Sequence, residues 1–169
     1  MAIFNKDNPF ISVAMATFNG EKYLLNQLES ISNQTLLPDE LIITDDSSTD
    51  STLDIIKLFS KKAKFKVKFF LNNSNIGYSN NFSKALSLSR GRYIFLWDQD
   101  DVWFPNKIKE MIDYAETLPD KLVYMNDAEI TDQHLNTLGI SKYNQIKRLG
   151  LKDKTFVMGC CSLIKRELR

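Results

Sequence analysis

The chain has 169 residues, about the length of one domain with one core of ordinary size. Hydrophobic residues make up 43% and charged residues 25%, ordinary globular proportions that exclude a disordered or collagen-like chain. Lys and Arg number 22 against 21 Asp and Glu, and the resulting net charge of +1 argues against a nucleic-acid partner held by bulk charge.

Short apolar runs alternate with segments of helical period. Residues 11–15 (ISVAM) read as a first strand, and Leu24, Leu28 and Ile31 then repeat at helical spacing. Residues 41–43 (LII) form a second strand. After Asp46, a run of Ser47, Ser48, Thr49, Asp50 and Ser51 supplies side chains that bond the free amides of a helix start, ahead of Leu53, Ile56 and Phe59. Residues 67–71 (VKFFL) are a third strand, followed by a helix carrying Phe82, Ala85 and Leu86. Residues 93–97 (YIFLW) are a fourth, followed by Ile108, Met111, Ile112 and Ala115, and residues 122–125 (LVYM) a fifth. Nearly continuous apolarity marks strands covered on both faces, as parallel sheets are. Alternation of strand and helix therefore predicts an α/β fold with a mostly parallel sheet flanked by helices.

Past Asn126 the pattern weakens. Residues 131–150 are polar and mixed and read as loops with short elements, whereas residues 156–164 read as one more strand. The chain stops at Arg169 inside charged, helix-compatible sequence, and the expectation is a truncated single domain spanning residues 1–169. The basic stretch of residues 61–68 reads chiefly as a solvated helix end and strand edge, with contact to an anionic lipid or phosphate the alternative. No apolar run approaches the roughly 18 residues of a membrane helix, and the start MAIFNKDNPF has no secretory apolar core. The two cysteines, Cys160 and Cys161, are adjacent, which gives neither a disulfide framework nor a zinc spacing and makes a reduced, cytosolic compartment the default. They read as buried structural thiols with no flanking cation before Lys165, and His134, the only histidine, reads as a surface residue.

Ligands of open α/β sheets collect beyond the carboxyl ends of the strands, and the chemistry of this sequence is concentrated there. The first strand runs into Thr17, Phe18, Asn19, Gly20 and Glu21, the second into Asp45 and Asp46, and the fourth into Asp98, Gln99, Asp100 and Asp101; Asn75, Ile76 and Gly77 follow the third. Asp98-Gln99-Asp100-Asp101 is the sharpest feature. Like charges this close repel unless a cation sits among them, and hard divalent ions such as Mg²⁺ or Mn²⁺ take carboxylate oxygens together with substrate phosphates. The competing reading is a helix start dressed with acids that complement its dipole. Asp46 could likewise be a cap or accept a bond from a nucleobase or sugar hydroxyl. Thr17, Phe18, Asn19 and Glu21 could form only a tight turn, and Gly77 only a turn glycine. No P-loop and no Gly-x-Gly-x-x-Gly is present.

Taken in order, the blocks VAMATFNGEKYL (13–24), Gln34-Thr35, DDSSTD (45–50), Asn75-Ile76-Gly77 and GRYIFLWDQDDVW (91–103) resemble family 2 glycosyltransferases of GT-A fold, in a branch of bacterial enzymes that includes rhamnosyltransferases. The resemblance implies that Thr17, Phe18, Asn19 and Glu21 contact the nucleotide and that Asp46 bonds the pyrimidine. It implies that Asp98 and Asp100, the outer members of a DXD motif around Gln99, serve a divalent Mg²⁺ or Mn²⁺ ion and the ribose. Gly77 joins the donor site, and Gly159 matches an acceptor-side glycine. The implied reaction is inverting sugar transfer from a nucleotide-diphospho-sugar (UDP- or dTDP-sugar) to a glycan or lipid-linked saccharide in cell-surface polysaccharide biosynthesis. The implied setting is cytoplasmic, at or near the inner membrane face, with peripheral membrane association of the full-length protein left open.

Two departures stand out. Residues 79–82 are Ser-Asn-Asn-Phe where the family often has an Arg-Asn pair, and no carboxylate matches the family's general base before Arg169, so that base is expected further along. Asp127 follows a strand end, but as a shaper of the acceptor side rather than as the base. The alternative is therefore a nucleotide-sugar-binding fragment without turnover. A haloacid-dehalogenase-like phosphatase and a nucleotidyltransferase are disfavoured: the first because three strands precede the Asp-x-Asp, the second because no glycine-rich cationic loop follows the first strand.

Overall fold

A computed structural model describes residues 10–150 and 159–168. Among these residues, five α-helices and eight strands follow in order: β1 (Ile11–Thr17), α1 (Leu24–Ser32), β2 (Glu40–Asp45), α2 (Thr52–Ser60), β3 (Lys66–Leu71), α3 (Tyr78–Leu88), β4 (Tyr93–Trp97), α4 (Lys107–Thr117), β5 (Val123–Met125), β6 (Glu129–Thr131), β7 (Thr137–Ser141), α5 (Lys142–Arg148) and β8 (Ser162–Lys165). Six of the strands form one sheet in the order β3-β2-β1-β4-β8-β5. β1 to β4 are mutually parallel, and β8 runs antiparallel between β4 and β5.

Every residue of β1 and β2 is buried, because the two strands lie inside the sheet with helices on both faces. On one face Val13, Met15, Leu41, Ile43, Phe95 and Trp97 pack against Leu24, Leu28 and Ile31 of α1, Ile56 of α2 and the α4 stripe of Ile108, Met111, Ile112 and Ala115. On the other, Ala14 and Ile94 meet Ala85 of α3. The small Ala14–Ala85 contact lets α3 ride close to the sheet, and Gly91 shows how tight the opposite edge is. A Cβ there would lie 2.5 Å from the Ser12 backbone nitrogen. β3, an edge strand, is only half covered, and Lys61, Lys62, Lys64 and Lys66 beside it are exposed, as a solvated edge requires.

The later elements differ from the sequence reading. The stretch read as loops with short elements holds the β6–β7 hairpin and α5, which Ser141 caps by accepting a bond from the Asn144 amide. The strand expected over residues 156–164 is shorter and later. Residues 159–161 form a 3₁₀ turn, β8 occupies Ser162–Lys165, and residues 156–158 lie outside the described part. Among the described residues, no helix is long and apolar enough to cross a membrane.

Candidate nucleotide-sugar site

The chain lays down β1, β2 and β3 in one direction and then returns to place β4 on the other side of β1. At this switch of direction the loops after β1 and β4 flank the crevice position where open α/β sheets bind ligands, beyond the strand ends. Gln99 spans it: its Oε1 accepts from the Phe18 amide at 2.8 Å and its Nε2 donates to the Phe18 carbonyl at 3.0 Å. Gly20 sits so near that a Cβ there would be 2.7 Å from Gln99 Oε1.

The loops after β1 and β2 are stitched together by the residues read as nucleotide contacts. Thr17 Oγ1 donates to Asp45 at 2.8 Å. The Asn19 amide donates to Ser48 Oγ and the Thr49 amide to Asn19 Oδ1, each at 2.9 Å. The Glu21 amide donates to Asp50 at 3.0 Å, and the Ser51 amide returns a bond to the Glu21 carboxylate at 2.9 Å. Asp50 also accepts from the Thr52 amide, the role the sequence assigned to this polar run. Asn19 and Ser47 sit at φ of 46° and 64°, strain that these bonds hold in place. Phe18 is 44% exposed at the tip of the crevice, its ring open to a ligand.

Asp46 is 2% exposed and saturated. Its carboxylate accepts from Asn72 Nδ2 and the Ile76 amide at 2.8 Å and from the Gly77 amide at 2.9 Å. Burial alone would raise this acid, but these bonds and the nearby Lys84 ammonium hold it below the usual carboxylate range. Gly77 turns at φ of 85° to present its amide, which explains glycine at that position. In the stretch where the sequence departs from the family, Asn81 is buried, donating to the carbonyls of Thr44 and Thr17 and accepting from Asn72. Asn81 thus locks α3 to the strand ends.

The end of β4 is built differently. Asp98 accepts from Tyr78 Oη at 2.8 Å and from the Cys160 amide, yet burial and the neighbouring Asp100 charge push its carboxyl up. Asp101 is also pushed up, by burial and by Asp100 and Asp98, against a bond from the Cys160 thiol and the Lys107 charge. Oxygens of Asp98 and Asp101 and the Cys160 sulfur lie within 4.8 Å of one another. The convergence therefore joins Asp98 to Asp101, whereas Asp100, read from sequence as the partner of Asp98, lies exposed beside them with no hydrogen bond to its carboxylate among the described residues. Crowded carboxylates raised by burial and by like charge suit a hard divalent cation that shares its remaining positions with phosphate oxygens.

Sequence reasoning missed Lys107. The cation sought next to the cysteines comes from α4, 53 residues away: Lys107 Nζ donates to the Cys160 carbonyl at 2.8 Å and to Asn126 Oδ1 at 2.9 Å. The thiols are buried, as expected, 3.7 Å apart, and hydrogen bonding with Cys161, burial and the Asp101 charge push the Cys160 thiol up. A cleft of about 570 Å³ opens from Asp100 and Asp101, walled by Trp103, Phe104, Lys107, Asn126 and Asp127 among others. Asp127 accepts from the amides of Ala128 and Tyr143 and is held below its ordinary value although burial opposes this, which makes it a poor base. His134 is exposed in the hairpin loop, as read.

A mostly parallel sheet with acids at the β1/β4 switch point is the GT-A architecture of nucleotide-sugar transferases, and solved structures of that fold superpose on it. Residues 1–349 of Staphylococcus aureus TarS, in complex with UDP, match with a TM-score of 0.76 at 21% identity, over 94% of this chain and 47% of that one. The mannosyltransferase PcManGT of Pyrobaculum calidifontis, in complex with GDP-Man and Mn²⁺, matches with a TM-score of 0.72 at 16% identity, over 95% of this chain and 46% of that one. The chain belongs to glycosyltransferase family 2: the model described as "Glycosyl transferase family 2" matches residues 12–169. An uncharacterized glycosyltransferase, MJ1057, of Methanocaldococcus jannaschii is 33% identical over 152 residues, covering 89% of this chain and 52% of the relative. The Escherichia coli UDP-Glc:alpha-D-GlcNAc-diphosphoundecaprenol beta-1,3-glucosyltransferase WfaP is 36% identical over 107 residues, covering 63% and 41%. The chain spans about half the length of MJ1057 and less of WfaP.

Proposed function

We propose that this chain is the donor-binding part of a metal-dependent inverting glycosyltransferase that moves a sugar from a nucleotide-diphospho-sugar to a glycan or lipid-linked saccharide. The observation that carries the reading is the cluster of under-neutralised acids at the end of β4, facing the Phe18 loop across the crevice. The base lies against the Thr17–Glu21 and Asp46 loops, whose polar atoms hold their shape, leaving the Phe18 ring and backbone edges to meet it. Asp98 and Asp100 hold the Mg²⁺ or Mn²⁺ ion: Asp98 because burial and the Asp100 charge oppose its ionisation in spite of its bonds from Tyr78 and Cys160, Asp100 because its carboxylate is exposed and unengaged among the described residues. Asp101, tied to the Cys160 thiol, adds negative charge behind them. When bound, the cation neutralises the charge that develops on the diphosphate leaving group.

The acceptor sugar occupies the cleft beside Asp101. Phe104 is 66% exposed there and offers a stacking face. WfaP, whose name gives a diphosphoundecaprenol acceptor, supports the lipid-linked class. A complex of TarS with UDP-GlcNAc supports a uridine donor, and the GDP-Man complex of PcManGT supports use of a divalent cation. Calorimetric titration of UDP with and without Mn²⁺ tests the reading. Without the cation, Asp98, Asp100 and Asp101 repel the diphosphate, so affinity should rise at least about tenfold when Mn²⁺ is added. Equal affinities would overturn the site, and binding without sugar transfer in the full-length protein would favour a binding module.

A further inference from the structure

Resting on that reading of the β4 acids, we propose that Lys107 is a positioning residue for the cation site and acts through Cys160. Three bonds of one residue carry the argument. The Cys160 amide donates to Asp98, the Cys160 thiol bonds the Asp101 carboxylate, and the Cys160 carbonyl accepts from Lys107 Nζ at 2.8 Å. Cys160 thus touches both raised acids, and what anchors Cys160 to the rest of the molecule on this side is the ammonium at the start of α4.

The anchor is itself fixed. Lys107 gives a second bond to Asn126 Oδ1 at 2.9 Å, just past β5, and its ammonium lies 4.9 Å from the centre of the Trp103 ring. The Asn126 amide in turn donates to the Cys161 carbonyl at 3.1 Å. Lys107 therefore joins α4, the end of β5 and the 3₁₀ turn of Gly159–Cys161 in a closed ring of contacts behind the acids.

A buried ammonium is costly unless its donors are matched, and here two of three are matched to oxygens on different elements. Burial lowers the Lys107 amine, so the site carries that cost at a place where a neutral side chain would pack. The next lysine on the helix, Lys109, shows the contrast. It pairs on the surface with Asp113, where it touches nothing of the site. The 3₁₀ turn is short and begins with Gly159, so ahead of β8 it has little regular structure of its own to hold Cys160 in place. Without Lys107 the Asp98 and Asp101 carboxylates lose their common brace and spread under their own repulsion. Residues that orient metal-binding carboxylates from behind are worth roughly 10- to 100-fold in metal affinity.

The test uses the full-length protein and Mn²⁺ with UDP as probes. Lys107→Met keeps the aliphatic stem against Trp103 and removes the donors; Lys107→Arg keeps charge and donors. Expected is a loss of Mn²⁺ affinity of roughly 10- to 100-fold in Lys107→Met, with cooperative melting retained and partial recovery in Lys107→Arg. A Lys107→Met affinity within about twofold of wild type overturns the proposal, as does an arginine variant no better than methionine. If Lys107→Met does not fold, Lys107→Gln takes its place under the same criterion, and loss of cooperative melting in both would overturn the proposal by making Lys107 a residue of the fold alone. A wild-type protein whose UDP binding ignores Mn²⁺ would instead sink the underlying site assignment.

Discussion

At the end of β2, Asp45 and Asp46 accept three hydrogen bonds each: Asp45 from Thr17, the Ser48 amide and the Ser48 hydroxyl, Asp46 from Asn72, Ile76 and Gly77. After β4, Asp98 and Asp101 share a few donors from Tyr78 and Cys160 while pressing on each other and on Asp100. Both acid groups end a buried parallel strand, and both face the same crevice. Donor supply separates them: the first group is satisfied by its own loop, the end of β1 and the loop after β3 and fixes a backbone shape, whereas the second keeps an unmet demand for positive charge. An acid at a strand end is a ligand candidate to the degree that the protein has left it unfinished.

The largest expected effect breaks the β4 side. Asp98→Asn and Asp100→Asn should each lower Mn²⁺-dependent UDP affinity by at least about tenfold, while Asp101→Asn costs only a few-fold. Calorimetric titration of the three variants reads this directly, and the reverse ranking of Asp100 and Asp101 would move the second ligand to Asp101. Stability gives an independent reading. Asp98 and Asp101 have folded values raised above the ordinary 3.8, so the folded state binds their protons more tightly than the unfolded chain. Their ionisation therefore costs stability above that pH, in full once the pH exceeds the folded values. At neutral pH, Asp98→Asn should melt no lower than wild type without cation, and Mn²⁺ with UDP should raise the melting temperature of wild type alone.

The β2 side should respond in the opposite way. Asp46→Ala strands the Ile76 and Gly77 amides and Asn72 Nδ2, and a cost of about 2–3 kcal/mol is expected in urea unfolding at neutral pH. The sign with pH also reverses. Asp46 has a folded value below its ordinary 3.8, so its contribution is present above 3.8 and fades as the pH falls through the folded value. Wild type and Asp46→Ala should accordingly converge in stability in strong acid, and a gap that persists there would mean the loss is one of packing rather than of the charged acceptor.

How much of this was legible in the sequence follows from the range of each interaction. β1, β2 and β4 are apolar on both faces, and α1 and α4 repeat Leu24-Leu28-Ile31 and Ile108-Met111-Ile112-Ala115 at helical spacing, so local pattern alone placed them. The β6–β7 hairpin and α5 were blurred because little of their surface is buried: residues 129–145 are exposed or half-exposed, and periodicity has nothing to record. At the site, the acids were visible as a run, but which oxygens converge depends on Cys160, and the cation that braces Cys160 comes from 53 residues earlier. No spacing rule links the two. Of the polar run after Asp46, Asp50 supplies the helix-start bond, accepting from the Thr52 amide, while Ser51 caps nothing with its side chain; Asp50 also reaches back to the Glu21 amide, a contact set by β1 and β2 lying side by side.

The mildest change sharpens the comparison at the rim of the crevice. Glu21 and Asp50 exchange bonds across the first two loops, the Glu21 amide giving to Asp50 and the Ser51 amide to Glu21, and Glu21 is exposed. Water replaces such bonds readily, so Glu21→Ala should cost only about 0.5–1 kcal/mol in unfolding. If Glu21 serves only to brace the loop, the same variant should weaken UDP by a small factor that Mn²⁺ does not change, because the acids at the end of β4 are untouched. A loss that grows when Mn²⁺ is present would instead put the Glu21 carboxylate in contact with the bound nucleotide, and an acid bonded into its loop would then be doing a ligand's work as well.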